Sequence, residues 1–175
     1  MIENCTFKIL DSEIRASDFD CGEEDLNDFF RKDAKHYSEE LLAKTYQFLH
    51  QKKIVALFSV ANDSLGLEAV DRPAVNRINR QIPNKKRRQV YPAVKLARLG
   101  VNKPHQGQGV GKEVIEFIKA WFTGENKTGC RFLLVDAYNK ENVISFYEKN
   151  DFVFLLESDE GKSTRQMFYD LKRFA

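Results

Sequence analysis

The sequence predicts a mixed α/β fold, and three observations lead to that prediction. Short apolar segments typical of β-strands recur along the chain, for example at residues 54–61 and 166–172. An apolar stripe with helical spacing covers residues 110–122, directly after a glycine-rich turn. A continuous apolar segment at residues 130–137 is typical of a strand buried in the centre of a sheet. Strands interspersed with helices therefore indicate an α/β domain.

The first half of the chain contains three predicted strands and one predicted helix. Residues 5–13 form the first strand, and residues 20–37 form a helix that starts with acidic residues, which favour the positive end of a helix dipole. Within that helix, Leu26, Phe29, Phe30 and Tyr37 recur at helical intervals. Strands at 45–50 and 54–61 follow, and residues 51–53 are predicted to form the hairpin turn between them.

The second half alternates more regularly. A strand at 94–101 leads into the glycine-rich turn and the helix at 110–122, which Gly124 ends. Residues 130–154 are typical of a strand, a short helix and another strand, and residues 166–172 alternate as a last strand.

Composition is that of one enzyme-sized domain. With 175 residues and 42% hydrophobic content, we predict a single domain over residues 1–175 with a real core. No apolar run reaches about 18 residues, so no membrane span is expected, and the acidic first residues do not resemble a signal peptide. Cys5, Cys21 and Cys130 lack a C-x-x-C spacing, which predicts free thiols in a reducing cytoplasm. The three histidines show no metal-ligand spacing, and no metal is expected.

The segment at residues 95–112 carries the strongest functional signal. A strand, a turn with three glycines and a helix start present free backbone N–H groups at a positive helix end, which predicts a site for a phosphate or diphosphate. It is not the P-loop of nucleotide triphosphatases, because Gln106 stands where that loop needs glycine and Glu113 where it needs Ser or Thr. It is not the dinucleotide fingerprint either, because the last glycine interval is wrong.

The pattern that does fit is Gln-x-x-Gly-x-Gly, formed by Gln106, Gly109 and Gly111. This pattern resembles the acyl-coenzyme A loop of the GNAT N-acetyltransferase superfamily.

A second motif, 36 positions further along from Gln106 to Asn142, supports the resemblance. The same superfamily has Asn-x-x-x-Phe-Tyr-x-x-x-Gly-Phe, and the sequence supplies Asn142, Phe146, Tyr147 and Phe152. Asp151 replaces the usual glycine, and Asp tolerates a left-handed backbone better than most residues. The two motifs are in the family's order, and the resemblance covers about residues 5–172.

The resemblance implies a fold and a set of binding residues. The fold is a GNAT-type mixed, largely antiparallel central sheet with helices on both faces, in which the parallel strands at 94–101 and 130–137 splay apart at the acyl-CoA site. The implied co-substrate is acetyl-CoA, and no metal is implied. The backbone of Leu99, Gly100 and Val101 would hold the pantetheine arm, and Asn142 would meet the arm from the other side. The amides that would hold the pyrophosphate belong to Gln106, Gly107, Gln108, Gly109, Val110, Gly111 and Lys112.

Tyr147 is the predicted general acid. A thiolate leaving group has a pKa near that of a cysteine, about 8.5, whereas a tyrosine stays protonated to about pH 10 and can donate to sulfur. The alternative is an aromatic side chain that merely packs at helical spacing with Val143. No carboxylate occurs at residues 54–61, the usual place for a general base, and Glu24 and Glu68 stay open as candidates. An α-amino acceptor, with a pKa near 7.7, would need little help from a base.

A basic insertion at about residues 62–92 suggests a polyanionic acceptor. Residues 72–88 carry seven basic residues and no acid, whereas the rest of the chain has 21 basic and 26 acidic residues. Such polarisation predicts a nucleic acid, with tRNA as the obvious candidate, although a solvated loop or simple attraction of coenzyme A phosphates would give the same pattern. The candidate nucleic-acid contacts are Arg77, Arg80, Lys85, Lys86, Arg87 and Arg88.

The residues Phe19-Asp20-Cys21-Gly22, with Leu26 beyond them, are similar to the opening of GNAT toxins from bacterial toxin–antitoxin pairs. Those toxins acetylate the α-amino group of aminoacyl-tRNA, so the resemblance implies a tRNA acceptor and an antitoxin partner in the cytoplasm. A homodimer is implied by analogy alone. Three alternatives stay open: a housekeeping acetyltransferase for proteins or small amines, a non-catalytic acyl-CoA binding module, and a nucleic-acid binding protein with an incidental glycine loop.

Overall fold

The structure is a computed structural model that describes residues 1–10, 18–124 and 128–175. It contains seven strands in one mixed sheet, with the order β1-β2-β3-β4-β5-β7-β6. The strands are β1 (Thr6–Ile9), β2 (Lys44–His50), β3 (Lys53–Gly66), β4 (Val90–Val101), β5 (Phe132–Tyr138), β6 (Val153–Phe154) and β7 (Thr164–Asp170). The helices are α1 (Glu24–Asp28), α2 (Ala34–Glu39), α3 (Arg72–Arg80), α4 (Val110–Thr123) and α5 (Glu141–Lys149). The predicted mixed α/β fold with a largely antiparallel sheet is confirmed.

Most predicted elements are present, with shifted ends. The strand predicted at 5–13 ends at Ile9 in the structure, and residues 11–13 of that prediction lie outside the described residues. The strand predicted at 54–61 continues to Gly66 as β3. The last strand ends at Asp170, not at residue 172, because the Asp170 carboxylate accepts a hydrogen bond from the Lys172 amide and the chain turns into a short 3-10 helix.

The helix predicted at 20–37 is present with an internal irregularity. Five residues of π-helix, Phe29–Asp33, join α1 to α2. Phe29 and Phe30 lie on this wider turn, and both are buried. A π-turn of this kind inserts an extra residue into the helix and is frequent near functional sites.

The chain divides into two compact units. The first unit is Met1–Ala61 with Leu96–Ile118, and the second unit is Asn62–Lys95 with Lys119–Ala175. The single acetyltransferase domain inferred from the sequence stays a prediction. No helix within the described residues is long and apolar enough to cross a membrane.

An aromatic cluster forms the core of the first unit. Phe7 of β1, Phe48 of β2 and Phe117 of α4 meet with ring centroids 4.6 Å (Phe7 to Phe117) and 5.1 Å (Phe48 to Phe117) apart. The hairpin turn between β2 and β3 consists of Gln51 and Lys52, both with positive φ (49° and 63°), which matches the twist that two-residue hairpins require.

The core of the second unit is built on β5 and on a helix that the sequence did not predict. Ile78 of α3 packs in one buried cluster with Phe132 and Leu134 of β5 and Phe168 of β7. The basic insertion therefore contains a helix whose apolar side covers the sheet, while its charged residues face solvent. The sequence did not predict this helix because the segment is rich in charged residues. Only Val75, Ile78 and Ile82 form an apolar pattern with helical spacing.

Gly100 of β4 is required by the side chain that packs on it. A Cβ atom at Gly100 would lie 2.9 Å from Cζ of Phe19 and 3.2 Å from Cβ of Cys21. Phe19 is fully buried and makes an edge contact with Phe30 at 5.5 Å, so its ring has little room to move. The strand glycine and the Phe19-Asp20-Cys21 segment, 81 positions apart from Phe19 to Gly100, therefore form one packing unit.

We expect Gly100→Ala to lower the free energy of unfolding by about 1–3 kcal/mol, because overpacking a rigid core forces neighbours out of place. Urea denaturation measures this change. The matched control is Gly161→Ala, whose new Cβ would meet no atom within 4 Å, and it should change stability by no more than about 0.5 kcal/mol. Equal stability of the two variants would show that Phe19 does not constrain Gly100.

Candidate active site

The loop between β4 and α4 has the conformation of an anion site. After β4 the chain forms a 3-10 turn, Lys103–His105, and reaches α4 at Val110. Gly107 and Gly109 have φ angles of 73° and 81°, and a Cβ at either position would meet nothing within 4 Å. The glycines are therefore needed for their left-handed backbone, and space is open beside them.

The backbone N–H groups of residues 107–112 are available for a ligand. None of them donates a backbone hydrogen bond outside α4 to another described residue. The first hydrogen bond of the helix to a loop carbonyl is the one that the Glu113 N–H donates to Gly109, at 3.1 Å. The N–H group of Gln106, in contrast, donates to the Lys103 carbonyl at 3.2 Å. The run of available amides thus begins at Gly107, one residue later than the sequence predicted, and it coincides with the positive end of the α4 dipole.

Side chains fix the start of this loop. The Gln106 Nε2 group donates to the carbonyls of Cys21 and Val101, each at 2.8 Å. Gln108 Nε2 donates to the Pro104 carbonyl at 2.9 Å. The glutamine of the motif therefore positions the loop through its side chain, because it ties the loop to the end of β4 and to the segment before α1.

Asp20 supports the same arrangement from outside the loop. Its carboxylate accepts hydrogen bonds from Lys103 Nζ at 2.6 Å, from the Gly22 N–H at 2.8 Å and from Asn27 Nδ2 at 3.0 Å. The Lys103 contact, followed by the other two donors, lowers the pKa of Asp20 to about 2. The Asp20 carbonyl also accepts the Lys103 N–H at 2.8 Å. Sequence reasoning did not identify Asp20, Asn27 or Lys103 as supports of the loop.

The three predicted strand residues form the end of β4. Gly100 is buried, and Leu99 and Val101 are half-buried. β4 pairs with β5 in parallel over only three positions, Ala93, Val94 and Lys95, which confirms the predicted parallel pair. Within the described residues, β4 has no β5 partner after Lys95. Backbone groups near the end of β4 can therefore serve a ligand.

Tyr147 lies on α5 in an aromatic setting within the second unit. Its ring centroid is 5.1 Å from that of Phe146 and 5.3 Å from that of Phe152, and the residue is 8% exposed. Burial raises the pKa of the phenol above its ordinary value. The side chain is therefore a neutral proton donor at any physiological pH. Packing of the Tyr147 ring is compatible with the predicted role of Tyr147 as a general acid, because the aromatic contacts hold the ring in place.

The turn after α5 explains the departure from the family motif. Asp151 has a φ of 65°, the left-handed conformation that a glycine commonly adopts after a helix. The Phe152 N–H then donates back to the Tyr147 carbonyl at 3.1 Å. Asp151 thus replaces the glycine with the same backbone geometry. Asn142, in the first turn of α5, is exposed.

The six basic candidates of the insertion are exposed, as a nucleic-acid surface requires. They are Arg77, Arg80, Lys85, Lys86, Arg87 and Arg88. Arg87 differs from the others because it also donates to the carbonyl of Asn79 in α3 (2.9 Å) and to that of Ile82 after α3 (3.3 Å). Arg87 is thereby partly occupied in holding the segment together.

The remaining candidates give no clear catalytic group. Glu24 and Glu68 are exposed, and Glu24 lies 3.8 Å from the guanidinium of Arg31. Burial raises the pKa of the Cys130 thiol to about 11 and also raises that of Cys21, so neither is suited to be a nucleophile. No group of three metal-ligating side chains occurs among residues 1–10, 18–124 and 128–175.

One pair of charged residues escaped sequence reasoning. Lys95 of β4 and Asp136 of β5 form an ion pair in the second unit. The pair is visible only in the fold, because 41 positions separate the two residues. The available signal was a single charge inside each of two otherwise apolar strands, at residues 93–97 and 132–138.

The fold of the described residues is that of the GNAT acetyltransferases. Residues 75–154 match the model of the family described as the acetyltransferase (GNAT) domain. This part of the chain is therefore similar to a GNAT acetyltransferase domain.

Several proteins that are similar to most of the chain are toxins. A tRNA-acetylating toxin of Mycobacterium tuberculosis is 27% identical over 135 residues, which are 77% of this chain and 75% of the toxin. AtaT complexed with acetyl-methionyl-tRNAfMet superposes with a TM-score of 0.77 at 22% identity, over 97% of this chain and 96% of AtaT. A tyrosine-to-phenylalanine mutant of AtaT bound to acetyl-CoA and the C-terminus of the antitoxin AtaR gives a TM-score of 0.72 at 21% identity, over 97% and 95% of the two chains.

Proposed function

We propose that the protein is an acetyl-CoA-dependent N-acetyltransferase that transfers an acetyl group to the α-amino group of an aminoacyl-tRNA. The observation that carries the proposal is the run of available amides at residues 107–112, at the start of α4 in a GNAT domain. The left-handed glycines with open space beside them fit a diphosphate, which a Cβ atom or an altered backbone would displace.

Each residue of the predicted site has a role in this reaction. The amides of residues 107–112 bind the diphosphate of coenzyme A, and the backbone of Leu99, Gly100 and Val101 pairs with the amides of the pantetheine arm. Asn142 contacts the arm from α5. A backbone N–H at the end of β4 stabilises the oxyanion of the tetrahedral intermediate.

Tyr147 completes the proton balance. The acceptor nitrogen forms a bond to the acetyl carbon, and the bond from that carbon to sulfur breaks. The phenol gives its proton to the departing thiolate, while the proton lost from the amine passes to water and restores the phenol. Because burial keeps Tyr147 protonated, it can act as this acid without a partner of its own.

The acceptor is proposed from charge and from amine chemistry. The exposed basic residues of the insertion suit the phosphates of tRNA. An α-amino group has a pKa near 7.7, against about 10.4 for lysine, so a useful fraction is neutral without a general base. The similarity to tRNA-acetylating toxins supports the same acceptor. We place the reaction in the cytoplasm, where tRNA is charged, and an antitoxin and a homodimer remain predicted partners.

Mass spectrometry of the products tests the proposal. The protein is incubated with isotopically labelled acetyl-CoA and a mixture of aminoacylated tRNAs, with deacylated tRNA and an N-terminal peptide in matched reactions. We expect label on the α-nitrogen of aminoacyl-tRNA alone. Label on the peptide would favour the housekeeping acetyltransferase. Binding of coenzyme A with no product from any amine would favour the non-catalytic module.

A further inference from the structure

A cavity of about 170 Å³ lies in the second unit, on the strands that carry the Lys95–Asp136 pair. Its apolar wall includes Leu134 of β5, Leu155 after β6 and Met167 of β7. Its polar wall includes Asp63 of β3, Lys95 and Asp136. The cavity therefore combines an apolar surface with charged groups, as small-molecule sites commonly do.

The charged groups of this wall favour a ligand that carries an amine. Lys95 contributes one positive charge and the carboxylates of Asp63 and Asp136 contribute two negative charges, so the lining has a net charge of −1. Lys95 Nζ contacts Oδ2 of Asp136, and no described residue donates a hydrogen bond to its Oδ1. That oxygen can accept a hydrogen bond from an amine, whereas an anion would be repelled.

The ion pair contributes little to the stability of the fold. Lys95 and Asp136 are 30% and 34% exposed, and they interrupt two central strands whose neighbouring positions are apolar. A partly buried ion pair contributes little net stability, because desolvation offsets most of the attraction. A binding role explains the pair better than a structural one.

The volume of the cavity indicates the size of side chain that it can accommodate. A cavity of about 150 Å³ lined by apolar residues accommodates benzene. The observed volume of about 170 Å³ thus admits one side chain of the size of leucine, methionine or phenylalanine. A glycine would leave the apolar wall unfilled.

We propose that this cavity is the acceptor subsite, where Asp136 binds the α-amine and Leu134, Leu155 and Met167 receive a medium-sized apolar side chain of the aminoacyl group. The inference rests on the proposed function and extends it, since it assigns the choice among amino acids to residues of the second unit. Lys95 is a positioning residue that holds the Asp136 carboxylate toward the cavity.

Gly66 provides a variant that fills the cavity with little disturbance of the fold. It lines the cavity, its φ is not positive, and a Cβ there would meet no atom within 4 Å. Gly66→Leu should therefore occupy space that the ligand needs. Gly161→Leu is the matched control, because Gly161 has the same open surroundings and does not line the cavity. Asp136→Asn keeps the shape of the side chain and removes its charge.

The test measures binding of non-reactive probes and acetyl transfer separately. Ligand-observed NMR with leucinamide, glycinamide and N-acetyl-leucinamide reports occupancy of the subsite without coenzyme A. We expect leucinamide to bind best. Its affinity should fall about tenfold or more in Gly66→Leu and Asp136→Asn, which corresponds to the loss of about 1.4 kcal/mol, and stay unchanged in Gly161→Leu.

The two proposals fail in different ways. Leucinamide that does not bind, or that binds equally to wild type, Gly66→Leu and Asp136→Asn, would overturn the subsite even if aminoacyl-tRNA is acetylated. Cavity-dependent binding of leucinamide by a protein that transfers no acetyl group would retain the amine site and overturn the proposed function. In an active enzyme, Gly66→Leu should also shift the preference from leucyl- or methionyl-tRNA toward glycyl-tRNA.

Discussion

Replacing Tyr147 with phenylalanine is expected to lower the rate of acetyl transfer by about 10²- to 10⁴-fold, the usual contribution of a general acid. The Phe ring can keep the contacts with Phe146 and Phe152, so the fold of α5 should not change. Only the proton for the departing thiolate is lost. Release of free thiol under saturating acetyl-CoA measures kcat, and calorimetry with coenzyme A should give an unchanged Kd.

The control for removal of a phenol is Tyr37→Phe, since Tyr37 is exposed on α2, far along the chain from the predicted site residues. It should have wild-type activity. If Tyr147→Phe stays within about threefold of wild type, the acid is another group or water, and the packing role of Tyr147 is sufficient. In a bacterial host, the proposed toxin activity predicts growth arrest on expression, relieved by Tyr147→Phe.

The raised pKa of Tyr147 also predicts the pH profile. A free tyrosine loses its proton near pH 10, and burial moves the pKa of Tyr147 upward. Deprotonation of this acid should therefore cause no decline of kcat below about pH 10. The pKa of Tyr147 is higher in the folded state than in the unfolded state. The neutral phenol therefore makes its full contribution to stability at pH values below the unfolded pKa, and this contribution is lost as the pH rises toward the folded pKa. A basic limb with a midpoint near pH 8 would identify a different group as the acid.

Gly109→Val is expected to lower the affinity for coenzyme A by at least about tenfold. The φ of Gly109 is 81°, a region that costs a non-glycine residue about 1–2 kcal/mol and a β-branched residue more. The loop would leave this conformation, and the amides of residues 107–112 would no longer point to one diphosphate. Since 1.4 kcal/mol corresponds to a factor of ten, the backbone strain alone accounts for the expected loss.

Pantetheine distinguishes this effect from general damage. It carries the thiol arm and lacks the diphosphate, so its affinity should be the same in wild type and Gly109→Val when measured by calorimetry. Gly161→Val is the matched substitution at a glycine whose φ is not positive. Equal coenzyme A affinity in Gly109→Val and wild type would contradict the assignment of the diphosphate to this loop.

Local signals in the sequence predicted most of the elements that the structure contains. The apolar stripe of α4 and the glycine before it, the continuous apolar strand β5 and the turn at Asp151 follow from residues close together in the chain. The loop was predicted for the same reason, because a left-handed glycine turn at a helix start is encoded within a few positions. The helix α3 was missed, since seven basic residues obscured an apolar spacing of only three side chains.

The sequence by itself determined the class of the fold, the amide-lined turn and the identity of Tyr147 as a candidate acid, because each depends on spacing along the chain. Tertiary structure alone decided what supports them. Asp20 and Asn27 support the loop, although both lie more than 75 positions before Lys103 in the sequence. Phe19 packs on Gly100. The Lys95–Asp136 pair and its cavity depend on the parallel register of β4 and β5. These contacts join residues that are far apart in the sequence. They therefore depend on how the strands pair and how the side chains pack in the folded chain.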